Sequence, residues 1–248
     1  MIANAVFRES VEVFYYEGHG LTIYLYLLVV MAPVQLLSLY LPSLDAQMWN
    51  GSASLFKVCS VTALLLIVYF ALRVANQEFS PWRFQPLRRW SREHGLSVSS
   101  IRGAQIGFLL LHIGISTLLC SPFLLWAAAI SRTPWVAIAS TFFLLPFYGL
   151  TYGVWGLASL VLWERRVESR QILMRAFVFC LVAVSSLVYL PLNPVVYLLS
   201  CIGRRELPPF VLGGWQGSAT LLHVMFHLLL CGGALIAYHK TFKRGLAS

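Results

Sequence analysis

Apolar and polar residues separate along this chain into long blocks. Between residues 21 and 238 six apolar stretches stand near 21–42, 54–74, 104–130, 135–162, 174–190 and 217–238. Their interiors carry no Asp, Glu or Arg, and Lys57, near one end, is their only Lys. A helix crosses about 30 Å of hydrocarbon at about 1.5 Å per residue, and only elements that satisfy their own backbone hydrogen bonds are stable there. The pattern therefore predicts an all-α, polytopic membrane protein with six transmembrane helices in a single domain.

The blocks between the spans predict further elements. On a helical wheel Ile2, Ala3, Val6, Phe7, Val11, Val13 and Phe14 gather on one half, and Asn4, Arg8, Glu9 and Glu12 on the other, with Ser10 and Glu17 as exceptions. Residues 1–19 are thus expected to form an interfacial helix before Gly18 and Gly20 turn the chain into the first span. The 75–103 loop is punctuated as a short helix over 86–94. Pro86 suits its first turn, Arg89 and Glu93 form an i, i+4 pair, and Gly95 suits its stop. Leu87, Trp90 and His94 would share one face, and a short helix with an apolar face needs a membrane surface or a protein to cover it. In 191–216, Pro191 and Pro194 break the chain, 195–202 is apolar but too short to cross, and Pro208-Pro209 turns it again. That pattern predicts an outer re-entrant segment.

Composition and charge refine this picture. Of 248 residues 59% are hydrophobic and 11% charged, too little polar surface to solvate a globule of this size. Of the 18 Lys and Arg, four (Lys57, Arg132, Arg204, Arg205) fall on the side away from the termini and the remainder on the side of the termini. This positive-inside bias predicts that the N and C termini are both cytoplasmic, and it accounts for the net charge of +9 without nucleic acid as a partner. Glu9, Glu12 and Glu17 precede the first span where a cleaved leader would carry basic residues, so no cleaved leader is expected. Trp49, Trp126, Trp135, Trp163 and Trp215 fall at span ends, while Pro33, Pro122 and Pro146 lie within spans and predict kinks. Gly149, Gly153 and Gly156 permit close helix approach. Cys59, Cys120, Cys180, Cys201 and Cys231 have no metal spacing and read as small core residues.

Candidate chemistry is sparse. A carrier driven by protons or sodium needs an intramembrane carboxylate or a comparable relay, and none is written in the spans. There is no H-E-x-x-H, no G-x-S-x-G and no G-x-x-x-x-G-K-[ST]. His223 and His227, four residues apart, are candidate metal or haem ligands, and His112 lies inside the third span. The alternative is that these histidines hydrogen-bond neighbouring helices. The histidines leave open a membrane enzyme or a haem- or metal-handling protein, and the amphipathic segments leave open a non-catalytic membrane scaffold.

The order of parts, an amphipathic first helix, two spans, a basic loop with a short helix, then four spans with a broken outer segment before the last, resembles the membrane subunits of ABC-2 type transporters. The stretches that carry the resemblance are Pro86-Leu-Arg-Arg-Trp-Ser-Arg-Glu-His-Gly95 running into Ser99-Ser-Ile-Arg-Gly-Ala-Gln-Ile106, and Leu190-Pro-Leu-Asn-Pro-Val-Val-Tyr-Leu-Leu199 ahead of Trp215. The acidic-Gly-Thr run usual before the loop helix is replaced by Gln77-Glu78-Phe-Ser-Pro81. The resemblance implies an export permease in the bacterial inner (plasma) membrane, a homo- or heterodimer with a second permease subunit, embedded in membrane lipid and docked on an ABC ATPase subunit. ATP and Mg would bind that partner, and this chain would hold no cofactor and catalyse no reaction. The 86–94 helix would be the coupling helix, with Leu87 and Trp90 in a groove of the ATPase and Arg88, Arg89, Arg92 and Glu93 at its rim. Residues 1–19 would be an elbow helix, and 195–209 the outer gate.

Overall fold

The computed structural model describes residues 4–16, 19–40, 54–75, 93, 95–162, 167–212 and 215–244. Eight α-helices occur among them: α1 (Ala5–Tyr16), α2 (His19–Tyr40), α3 (Ser54–Ala75), α4 (Val98–Ile130), α5 (Trp135–Leu162), α6 (Val167–Val188), α7 (Pro194–Gly203) and α8 (Ala219–Arg244). A 3-10 turn, Leu190–Leu192, precedes α7, and an antiparallel hairpin of β1 (Phe210–Leu212) and β2 (Trp215–Gly217) precedes α8. The hairpin is an addition to the expected all-α fold.

Five helices hold segments long and apolar enough to cross a membrane: Gly20–Ser38, Leu55–Ala75, Ser99–Ile130, Trp135–Ser159 and Ala219–Lys240. The chain is thus built as a multi-pass membrane protein. The span expected at 174–190 differs. Its helix α6 has 22 residues, but Glu168 and Arg170 stand near its start and the apolar part runs only over Ile172–Val188. The loop expected to end at 103 also ends earlier, because Ser97 caps α4 by accepting from the Ser100 N–H, so the third span is continuous with helix from Val98.

At the centre, α3 packs on α5 through the glycine face. A Cβ on Gly156 would lie 2.7 Å from the Ala75 Cβ and 3.2 Å from the Leu72 carbonyl oxygen, and one on Gly149 would lie 3.0 Å from Ile67. Only hydrogen at these positions lets the two backbones meet so closely. The glycine motif is therefore an intramolecular seam. The contacts of Gly149 with Ile67 and of Gly153 with Ala71 advance together, so α3 and α5 run parallel. The α4 helix returns between them in direction: Ser131, at its end, accepts from the Phe56 N–H at the start of α3.

Pro33, Pro122 and Pro146 lie inside α2, α4 and α5. Pro122 cannot donate to the Leu118 carbonyl, and the Ser121 hydroxyl does so instead at 2.7 Å. The α1 helix forms over Ala5–Tyr16 and turns a stripe of Val6, Ser10 and Phe14 onto α2 and α4. Ser10, an exception on the wheel, is buried because its hydroxyl donates to the Val6 carbonyl at 2.8 Å. On the opposite face Arg8 and Glu12 are exposed and form an i, i+4 ion pair. Phe14 fills the corner between α1 and α2 so closely that a Cβ on Gly20 would stand 2.5 Å from its ring. Of the cysteines, Cys180 departs from the expected burial and faces outward from α6. Trp126 and Trp135 are exposed near the α4–α5 turn, and Trp49 and Trp163 lie outside the described residues.

The outer segment is shaped by its caps. Asn193 accepts from the Val195 and Val196 N–H groups, Pro194 opens α7, and Arg204 closes it with φ of 50°. Lys57 lies against the end of α7, its Nζ 3.9 Å from where a Gly203 Cβ would stand. The starts of α3 and α5, the end of α4 and the α7 turn thus share one end of the bundle. At the other end the Asn4 side-chain amide donates to the Ser100 carbonyl at 2.7 Å and Arg102 meets His239.

Candidate functional site

Two buried tyrosine–histidine pairs lie on the seam between α5 and α8. Tyr148 and Tyr152 stand four residues apart on α5, as His223 and His227 do on α8, and the pairs meet as two rungs. Tyr148 Oη lies 2.6 Å from His223 Nε2, and Tyr152 Oη lies 3.2 Å from His227 Nε2. All four side chains are buried.

The second nitrogen of each ring decides the protonation pattern. His223 Nδ1 lies 2.7 Å from the Pro191 carbonyl oxygen, and His227 Nδ1 lies 2.9 Å from the His223 carbonyl oxygen. A carbonyl only accepts, so Nδ1 carries the proton in both rings, Nε2 accepts, and the tyrosines donate. Neutral imidazoles with both nitrogens in use suit a low-dielectric interior. The Tyr197 ring of α7 stacks on His223 at 3.8 Å between centroids and 8° between planes, and the two imidazoles are 4.2 Å apart. His223 therefore ties together α5, the Pro191 turn, α7 and α8.

Chemically, the seam positions helices. In this arrangement neither imidazole presents a free nitrogen to a metal, and ligation would displace a tyrosine or break a carbonyl bond. No group of three or more His, Cys, Asp or Glu that could hold a metal ion occurs among the described residues.

His112 sits apart from this pair, in the corner of α1, α2 and α4. Its Nδ1 lies 3.1 Å from Tyr24 Oη, which lies 3.0 Å from Tyr15 Oη. Phe14 packs edge-on against both Tyr24 and His112. Burial holds the Tyr15 phenol above its ordinary pKa, and the hydrogen bond with Tyr24 opposes that in part, so the hydroxyl stays protonated. His112 Nε2 is buried and makes no hydrogen bond, as is Ser116 Oγ one turn along α4.

The tyrosines were not singled out in the sequence, yet a signal was present: the four-residue spacing of Tyr148 and Tyr152 repeats that of His223 and His227. Gln105 on α4, likewise unflagged, accepts from the Tyr238 hydroxyl of α8. Of the proposed coupling residues, Leu87, Arg88, Arg89, Trp90 and Arg92 lie outside the described residues. Glu93 is exposed, and Gly95, the expected stop, takes φ of 59°, the left-handed conformation used at helix ends. Comparison with family models, with curated proteins and with solved structures found no match to this chain.

Proposed function

We propose that this chain is the permease subunit of an ATP-binding cassette exporter of the ABC-2 type. It would pair with a second permease subunit and dock on a separate cytoplasmic ATPase, which binds ATP and Mg. The reading is carried by one observation, the tie of Asn4 to the Ser100 carbonyl. That bond sets the amphipathic α1 beside the first turn of α4, at the end of the bundle from which the basic 76–97 connection enters. A protein that docks there has a rigid lever into α4, one of the longest paths through the bundle, and a rigid-body swing of helices is a familiar way to gate.

The rest of the reading follows the same layout. The described membrane-crossing segments hold no Asp or Glu, so an ion-driven cycle would lack its usual relay. With α6 as a sixth span both termini would fall on one side, which the basic excess would make the cytoplasmic one, and the ABC-2 reading would put the chain in a bacterial inner membrane. The 86–94 helix would couple to the ATPase, Leu87 and Trp90 supplying the buried contacts and Arg88, Arg89, Arg92 and Glu93 the rim.

Recovery of the tagged full chain from its native membrane in mild detergent should bring with it a protein carrying a Walker A loop. Replacing Leu87 and Trp90 by Asp should abolish that recovery and leave the chain folded by thermal unfolding. Recovery of no ATPase from the wild-type chain overturns the reading.

A further inference from the structure

At the α7 end of the bundle the last span begins deeper than its neighbour. Because Tyr148 pairs with His223 and Tyr152 with His227, α5 and α8 run parallel with a constant offset. Ala219, which opens α8, stands four residues before His223 and so at the level of Leu144, nine residues past the start of α5 at Trp135. At about 1.5 Å per residue, α8 starts about 13 Å below α5. The α7 helix spans the same depth, since Tyr197 near its start stacks on His223 and Gly203 at its end lies against Lys57 at the start of α3. Between these helices lies a recess of about 420 Å³. Tyr197, Ala219 and Thr220 line it at the depth where α8 starts, and Arg204 and Glu206 line it beyond the end of α7.

The backbone around this recess needs water. Among the described residues β1 and β2 pair only with each other, so the outer edge of each strand has no sheet partner, and β2 runs directly into Ser218 at the floor. The first N–H groups of a helix likewise have no intrahelical partner, and α8 starts at that floor. Hydrocarbon offers neither a strand edge nor a helix start anything to bond, and irregular backbone at membrane depth is stable only against protein or water. The charged side chains at the mouth agree: Arg204 and Glu206 are exposed, as such groups are where a cavity is filled with water. The recess stops at the Tyr197 ring, which is 6% exposed and covers the fully buried His223, so the histidine seam lies sealed beneath it.

We propose that this recess is an aqueous vestibule, through which water and small polar solutes pass from the α7 end of the bundle down to Tyr197. Its volume falls in the range of small-ligand sites, so it holds such a solute as well as water. With Trp135 at the membrane interface, the vestibule crosses more than a third of a hydrocarbon core of about 30 Å. It is built by this chain alone and stands without the exporter reading.

The test uses the full chain in lipid nanodiscs and a charged, water-soluble methanethiosulfonate, with the labelled positions read by peptide mass spectrometry. Two neighbours on α8 give the contrast: Thr220 lines the recess, while Leu221, next in the chain and 57% exposed, does not. Thr220→Cys should be labelled at least tenfold faster than Leu221→Cys. In the unaltered chain Cys201, which lines the recess, should be labelled at least tenfold faster than the buried Cys59 and Cys120, whose protection also reports that each variant keeps its fold. Equal rates at Thr220→Cys and Leu221→Cys overturn the proposal, since α8 would then start in open water or lipid would fill the recess. Cys201 as slow as Cys120 in the unaltered chain overturns it as well.

Discussion

Two adjoining faces of α5 are held by opposite means. Toward α3 it offers Gly149, Gly153 and Gly156, and the seam closes by removing side chains until backbones nearly touch. Toward α8, one residue around the wheel, it offers Tyr148 and Tyr152, and that seam closes by hydrogen bonds to His223 and His227. In lipid, apolar residues gain little from leaving one apolar surroundings for another, so helix association depends on close packing or on polar pairs. This helix uses one on each face. The packed seam tolerates no added volume, whereas the polar seam tolerates repacking but leaves an orphaned donor or acceptor if one partner is lost.

The largest effect should come from Gly156→Leu. The new side chain meets the Ala75 Cβ and the Leu72 backbone, neither of which can turn aside, so equilibrium unfolding in mixed micelles should show a loss of about 3 kcal/mol. Gly153→Ala should cost less, because its nearest neighbours are the terminal methyls of Leu109, which can shift. On the polar seam, Tyr148→Phe should cost about 1 kcal/mol by leaving His223 Nε2 without a donor. Combined with His223→Leu it should cost less than the sum of the two, and strict additivity in that cycle would show that the rung does not couple.

Tyr152→Phe should cost about 0.5 kcal/mol in the same assay, less than Tyr148→Phe, since its contact is longer at 3.2 Å. The smallest effect is expected at His112, whose Nε2 is already unsatisfied. His112→Leu should change stability by no more than about 0.5 kcal/mol, since Tyr24 keeps Tyr15 as its partner. A loss as large as that of His223→Leu would mean that His112 makes a buried polar contact beyond its bond to Tyr24.

Much of the fold was legible because its signals are local. The span expected at 135–162 coincides with α5, and that at 54–74 matches α3 to one residue, since uninterrupted apolar sequence bounded by polar turns leaves a helix little choice. The break at Pro194 and the short apolar run over 195–202 placed α7 in the same way. The signals failed where local rules compete. In α6 charges occupy the first turn of a helix that continues into apolar sequence, and in 210–217 a hairpin forms in a region that hydropathy marks only as a turn. Ser10 looked misplaced on its wheel because a wheel does not show a hydroxyl bonding back to its own helix.

The candidate sites were legible only as residue types. His223 and His227 were visible as a pair, but their partners lie 75 residues away, and no propensity or period encodes which helix face will meet which. The approach of Lys57 to Gly203 was equally hidden, as it depends on where α7 ends against α3. By itself, then, the sequence determined that the chain is helical and built for a membrane, because hydrocarbon forces each long apolar segment to satisfy its own backbone. Only the tertiary structure decided that α5 is clamped by glycine on one face and by histidine on the next, and that the end of α7 meets the start of α3. Those outcomes depend on helix register and depth, which are set by side chains meeting across the bundle.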